Sequence, residues 1–237
     1  MTTILSLAFS DIEPKENQNM ISIRKIAITA LAVLLCALFL GACKTVIKPG
    51  EGGLYDEKHD VRYYHASTVY EATARGKEYG TLQVTDTLSY KLYVIPGVDP
   101  TEMLATDENN IIYASTLTMP TLSEMGATTL NVCMDGTATA HVIHTMRDRD
   151  AIAALAEAYE NAPDIQNPGY TPIRTFRVRF ESPDYAGFYY TLTYVEFSEN
   201  IVIDGTDYGR YFLQSLFDGV FAPVPDVIHV ALGYDKA

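Results

Sequence analysis

The side chains whose types and spacing could do chemistry in this sequence are a pair of histidines and three cysteines. His141 and His144 carry imidazole nitrogens, which are common ligands of zinc and copper. On a regular strand, positions i and i+3 point to opposite faces. The pair could share an ion only with a bend near Thr145 and with Asp135 or His65 as further ligands. We therefore predict no metal site and keep His141 and His144 as the candidate ligands.

The motifs of known nucleophiles and cofactor sites are missing from the sequence. It contains no Gly-x-Ser-x-Gly or Cys-x-x-Cys pattern, no phosphate-binding glycine-rich loop and no His-Glu-x-x-His helix. We therefore predict no catalytic residue and no cofactor, and we expect the protein not to be an enzyme.

Cys43 stands in a context of its own. Two basic residues, Arg24 and Lys25, precede an apolar run from Ile26 to Leu40, and the chain becomes polar after Cys43. The order of basic, apolar and small residues is that of a secretory signal. The run is shorter than the roughly 20 residues that span a bilayer. Cleavage by an ordinary signal peptidase after Ala42 would put the large Leu40 at position −3, where a small residue is required.

Leu40-Gly41-Ala42-Cys43 closely resembles the lipobox of bacterial lipoproteins. The resemblance implies that residues 20–42 are a signal peptide, that the thiol of Cys43 receives a diacylglyceryl group, and that the chain is cut just before it. It also implies an anchor in the cell membrane or outer membrane, with the protein facing outside the cytoplasm. Since each buried methylene contributes about 0.8 kcal/mol, two or three acyl chains suffice for stable attachment.

The sequence suggests three further segments. Residues 1–19 are acidic where a signal should be basic, so we expect translation to begin at Met20 and residues 1–19 to be untranslated or disordered. Residues 43–60 contain Lys-Pro-Gly-Glu-Gly-Gly and are predicted to form a flexible tether after the lipidated cysteine. Residues 61–237 are predicted to form a single globular domain. Some small lipoproteins of Firmicutes-type bacteria are similar to residues 140–220 in their order of elements.

The charge of the chain excludes one class of partner. The net charge of −13 falls entirely on residues 44–237, because residues 1–43 contain three basic and three acidic side chains. A domain this acidic repels nucleic acid. We therefore expect no nucleic-acid partner.

Hydrophobic periodicity predicts an α+β fold, mainly antiparallel β-sheet with one amphipathic helix packed on it. Apolar residues alternate with polar ones over 88–94, 176–181 and 188–194, and the last two segments flank a turn-rich stretch typical of a hairpin. Residues 148–162 are alanine-rich with one apolar stripe, which predicts the helix. The segment near 208–217 is either a second short helix or a strand, and 226–232 is a weaker strand candidate.

Three groups of residues have both a structural and a functional interpretation. Cys133 is predicted to be a small buried residue of a strand. The arginines of one predicted strand either pair with acidic residues across strands or bind an anion; they are Arg174, Arg177 and Arg179. Several tyrosines either fill the core or line a face for sugars or peptides; they are Tyr189, Tyr190, Tyr194, Tyr208 and Tyr211.

These observations favour a membrane-anchored extracytoplasmic lipoprotein with a non-enzymatic binding or accessory domain. Its partner would be a protein, a peptide or a cell-wall ligand, bound through the sheet face or an exposed edge strand. Two alternatives remain open: an enzyme acting on the cell envelope with a site assembled from distant residues, and a metal-binding lipoprotein that uses His141 and His144.

Overall fold

A computed structural model describes residues 44–135, 140–163, 165–166, 169–215 and 219–234. Thr45–Ala237 form one compact unit. Within the described residues, no helix has the length and apolar character needed to cross a bilayer.

The described residues contain sixteen strands. In chain order they are β1 (Thr45–Gly50), β2 (Gly53–Asp56), β3 (Val61–His65), β4 (Tyr70–Ala72), β5 (Glu78–Gln83), β6 (Ser89–Val94), β7 (Met103–Thr106), β8 (Ile111–Ala114), β9 (Thr129–Asp135), β10 (Ala140–Met146), β11 (Arg174–Glu181), β12 (Phe188–Glu196), β13 (Val202–Ile203), β14 (Thr206–Asp207), β15 (Tyr211–Gln214) and β16 (Phe221–Pro223). The helices are α1 (Arg149–Asn161) and α2 (Val227–Ala231), with a 3-10 turn at Pro183–Tyr185.

Seven strands close into a barrel in the order β1-β2-β3-β8-β7-β6-β5. All neighbours are antiparallel except β1 and β5, which run parallel and close the ring. Gly80 allows this closure, because a side chain there would collide with the carbonyl of its register partner Thr45. The barrel interior is filled by a separate apolar cluster, so the barrel is a packed core; its members are Ile47, Leu54, Tyr63, Leu82, Leu92, Leu104 and Ile112.

The second sheet has the order β10-β9-β11-β12-β15-β16, and β4 pairs with the start of β12. The predicted hairpin is confirmed, since β11 and β12 are antiparallel neighbours with Phe176 opposite Tyr194 and Phe180 opposite Tyr190. Strands predominate and helices are few, as expected of an α+β fold, but the sequence did not predict a closed barrel.

Helix α1 occupies the segment predicted to be helical. Asp148 caps it by accepting hydrogen bonds from the backbone amides of Asp150 and Ala151. Its buried residues Ile152 and Leu155 belong to the same apolar cluster as Leu130 and Val178 of the sheet.

The structure replaces the predicted tether with two barrel strands. Residues 45–56 form β1 and β2, with Ile47 fully buried in the barrel. The glycine-rich motif that looked like a linker is the tight turn of this hairpin: Gly52 and Gly53 have positive φ angles of 77° and 139°, which favour glycine.

Two C-terminal segments also differ from prediction. The alternative of a helix near 208–217 is wrong, because Tyr211–Gln214 form strand β15. Phe212 and Leu213 are both fully buried and belong to different apolar clusters, so the strand lacks the alternation that would have identified it. The strand candidate 226–232 instead contains helix α2, which begins after Asp226.

Candidate functional site: a polar sheet face with an open edge

One face of the second sheet carries a network of charged side chains around Glu71. The Arg179 guanidinium donates to both oxygens of the Glu71 carboxylate, at 3.0 and 2.5 Å. Arg177 lies 3.8 Å from the same carboxylate, and the Thr191 hydroxyl donates to it at 3.3 Å. The side chains of Glu71 and Arg179 are only 14% and 16% exposed, so each charge depends on the other for compensation.

The basic stripe seen in the sequence is therefore used for pairing across strands. Arg177 and Arg179 face Glu71, and Arg174 donates to the buried carboxylate of Glu196 at 2.8 Å. His229 also lies 3.3 Å from Glu196. This arrangement matches the pairing interpretation of the arginines, and their partners make them poor candidates for an anion site.

Strand β10 forms one end of this sheet, and no strand among the described residues pairs with its outer side. Val142 and Ile143 are 53% and 42% exposed, and Met134 on the neighbouring strand is 54% exposed. The opposite edge differs, because Phe221 of β16 is bridged by Ile165. An apolar edge strand offers backbone hydrogen-bonding groups and side-chain contacts to another chain.

The two candidate metal ligands lie on this edge strand. A register shift between Val142 and His144 places His141 opposite Met134 and His144 opposite Val132. Positions 132 and 134 share a face of β9, so the irregularity puts both histidines on one face, contrary to the expectation from a regular strand. Nevertheless, the described residues contain no group of three or more metal-ligating side chains. The metal-binding alternative with His141 and His144 stays a prediction.

A cleft of about 430 Å³ opens at the end of the sheet where β9 begins and where β11 turns into β12. Its polar lining includes Thr73, Thr129 and Glu181, and its aromatic lining includes Tyr185 and Tyr189. The volume falls within the range of about 300–1,000 Å³ common for small-molecule sites. The sequence did not indicate this cleft, because three segments far apart in the chain form it.

The five candidate tyrosines have three different environments. Tyr190 and Tyr194 are buried in the main cluster, and Tyr208 and Tyr211 are half-buried against apolar clusters. Tyr189 is the one candidate among these five that lines the cleft.

The structure tests the prediction for Cys133 but not the prediction for Cys43. Cys133 is fully buried on β9, as predicted. The residues predicted to form a lipobox, Leu40, Gly41, Ala42 and Cys43, lie outside the described residues, as do residues 1–39, so the anchor remains a prediction.

A buried carboxylate inside the barrel was not anticipated from the sequence. Asp56 is fully buried at the end of β2. One of its oxygens accepts from the backbone amides of Lys58 and His59, and the other lies 2.6 Å from the Tyr79 hydroxyl and 2.7 Å from His59 Nδ1. Burial opposes ionisation, but the hydrogen bonds from Tyr79 and His59 outweigh it and lower the pKa of Asp56. The cluster ties the β2–β3 turn to β5.

Replacing this carboxylate should change how the fold responds to acid. Because the pKa of Asp56 is lower when folded, its stabilisation is complete above the unfolded pKa of about 3.9 and is lost as the pH falls through the folded value. We expect Asp56→Asn to lower stability at pH 7 by about 1.5–3 kcal/mol and to flatten the loss between pH 4 and pH 2. Thermal unfolding at several pH values measures both effects. If stability fell equally steeply with decreasing pH in the variant and in the parent protein, this role of Asp56 would be contradicted.

No family model, no curated protein and no solved structure matches this chain.

Proposed function

We propose that the protein is a lipid-anchored, extracytoplasmic domain that binds an extended segment of a partner protein along the edge of β10. The observation that carries the proposal is the unpaired edge of β10, where Val142 and Ile143 are exposed and where His141 is the register partner of the exposed Met134. An extended peptide can add to such an edge as a further strand, with main-chain hydrogen bonds for affinity and side-chain contacts for specificity.

Two features favour the edge over the broad faces of the sheet. We take helix α1 to cover one face, which is supported by the apolar cluster that Ile152 and Leu155 share with Leu130 and Val178. The other face has its charges compensated around Glu71. Unlike either face, the edge of β10 combines exposed apolar side chains with main-chain groups that no described strand uses.

The charge of the protein favours a different chain as the partner. Two copies would each carry a net charge of −13, and their repulsion opposes edge-to-edge pairing. Just after β10, the exposed Arg147 and Arg149 alternate with the exposed Asp148 and Asp150, so the edge has no local excess of charge. A strand from a chain that is less acidic than this one therefore fits the edge better than a second copy.

The anchor in this proposal is the lipid on Cys43. Its support is the lipobox together with an apolar run shorter than a bilayer requires. Only Lys44 separates Cys43 from the first residue of β1, so the anchor would have almost no tether.

Photo-crosslinking in intact cells tests the binding edge. A photoreactive residue in place of Ile143 should give one discrete adduct with another protein, whereas the same residue in place of Val202 should give none. Val202 is a matched control, since it is 53% exposed, like Val142, but lies on the separate β13–β14 hairpin.

A charge on the edge should then abolish the adduct. Adding Val142→Lys to the Ile143 crosslinking variant should reduce the yield at least fivefold, because an edge lysine discourages strand addition. Adding Val202→Lys should leave the yield unchanged. Equal adducts from positions 143 and 202, an adduct of twice the chain mass, or a yield insensitive to Val142→Lys would each contradict the proposal.

A further inference from the structure

We propose that the cleft beside the β11–β12 turn binds a neutral, hydroxyl-rich sugar ring. The evidence is the combination of hydroxyl, carboxylate and aromatic side chains in a cleft of about 430 Å³. A pyranose presents hydroxyl groups around its rim and apolar C–H groups on its faces, so it needs both kinds of lining. The inference does not depend on the edge-strand proposal.

The polar lining keeps hydrogen-bonding capacity for a ligand. The Thr73 hydroxyl donates to the carbonyls of Ala186 and Gly187, at 3.2 and 3.3 Å, which leaves its oxygen to accept. One oxygen of Glu181 accepts from the Asn131 side-chain amide at 2.5 Å. Because a carboxylate can accept about four hydrogen bonds, Glu181 retains sites for sugar hydroxyls, which are both donors and acceptors.

The aromatic lining supplies rigid apolar surface. Tyr185 packs against Phe188 with ring centroids 5.6 Å apart, and the Arg179 guanidinium lies 5.2 Å from the centroid of the Tyr189 ring. These contacts restrict both rings, so little side-chain entropy is lost when a ligand packs on them. A tyrosine hydroxyl is protonated at neutral pH and can donate, and burial and the nearby carboxylate of Glu181 raise the pKa of Tyr189 further.

The charge of the cleft disfavours anions. Among the described residues that line it, Glu181 is the one carboxylate, and none is a lysine, arginine or histidine. Arg179, whose guanidinium packs on the Tyr189 ring, is already compensated by Glu71. A phosphate or carboxylate ligand would therefore meet a like charge without a cation to balance it.

Backbone hydrogen bonds join the segments that form the walls of the cleft, so the cleft is preformed. The Thr128 amide donates to the Glu181 carbonyl at 2.8 Å, and the Thr73 amide donates to the Gly187 carbonyl at 3.1 Å. A side chain at Gly187 would collide with Val98, so the turn packs directly against the loop that contains Val98. Such a preformed cleft binds without the cost of ordering loops.

Ligand-observed NMR on the full chain, solubilised in a detergent without a sugar headgroup, tests this site. The probes are glucose, galactose, N-acetylglucosamine, glucose 6-phosphate and tetramethylammonium. At least one neutral sugar should bind saturably at one site. Tyr189→Ala and Glu181→Gln should each weaken that sugar's binding at least tenfold, whereas Tyr64→Ala should change it less than twofold. Tyr64 is a matched control because it is an exposed tyrosine on the barrel.

Three results would overturn the proposal: none of the neutral sugars binds, glucose 6-phosphate or tetramethylammonium binds more tightly than every neutral sugar, or the cleft variants bind like the parent protein. Thermal melting of each variant separates loss of binding from loss of folding. If Tyr189→Ala unfolds, Glu181→Gln decides the outcome, since a glutamine side-chain oxygen can still accept from Asn131.

Discussion

Replacing Cys43 with serine is expected to abolish fatty-acid incorporation and signal removal. A serine hydroxyl cannot form the thioether by which a lipobox cysteine carries its diacylglyceryl group. We therefore expect at least a tenfold loss of labelled fatty acid and accumulation of the longer, uncleaved chain. Metabolic labelling followed by gel analysis of washed envelopes measures both quantities.

The chain provides two matched controls for this experiment. Cys36 lies in the apolar run and Cys133 lies buried on β9, so Cys36→Ser and Cys133→Ser test whether any cysteine would have the same effect. We expect full labelling and normal processing with Cys36→Ser, and with Cys133→Ser wherever that variant folds. Undiminished labelling of Cys43→Ser would remove the anchor from the proposed function.

Removing the Glu71 carboxylate is expected to give the largest loss of stability. Glu71→Ala leaves Arg179 mostly buried without its bidentate partner and also deprives Arg177 and Thr191 of a contact. Removing one partner of a buried ion pair lowers the stability of the fold by about 3–5 kcal/mol. Because this pair is slightly exposed to solvent, we expect a loss near the lower end of that range. A loss of about 3 kcal/mol corresponds to a fall in Tm of roughly 6–12 °C for a domain of this size.

Thermal melting by circular dichroism tests this expectation, with the exposed Glu199 as the control site. Glu199→Ala should change stability by less than about 0.5 kcal/mol. The double variant Glu71→Leu with Arg179→Met should recover most of the loss, because apolar residues of similar size can replace a buried ion pair. An unchanged Tm for Glu71→Ala would show that the network contributes nothing to the fold.

The sequence was sufficient to predict elements whose pattern is local. Helix α1 was identified from its apolar stripe and its Asp148 cap, and the β11–β12 hairpin from alternation on both sides of a turn. Each of these signals lies within about 20 residues of sequence. The buried position of Cys133 followed in the same way from its apolar strand neighbours.

The barrel and the site residues depend on long-range pairing that a single sequence does not display. The barrel closes through the parallel register of β1 with β5 and through the pairing of β3 with β8. The bond between Glu71 and Arg179 joins residues 108 positions apart. The residues next to Glu71 in the sequence do not indicate that it pairs with Arg179, and those next to Arg179 do not indicate Glu71. The arginines that form a basic stripe in the sequence are therefore neutralised by a carboxylate from a distant strand.

The central claim is that Cys43 is the covalent point of membrane attachment, and mass spectrometry of the N-terminal peptide from the native protein tests it most directly. We expect that peptide to begin at Cys43 and to carry a diacylglyceryl group on its sulfur. A native peptide that spans Ala42 and Cys43 with an unmodified thiol would contradict the claim.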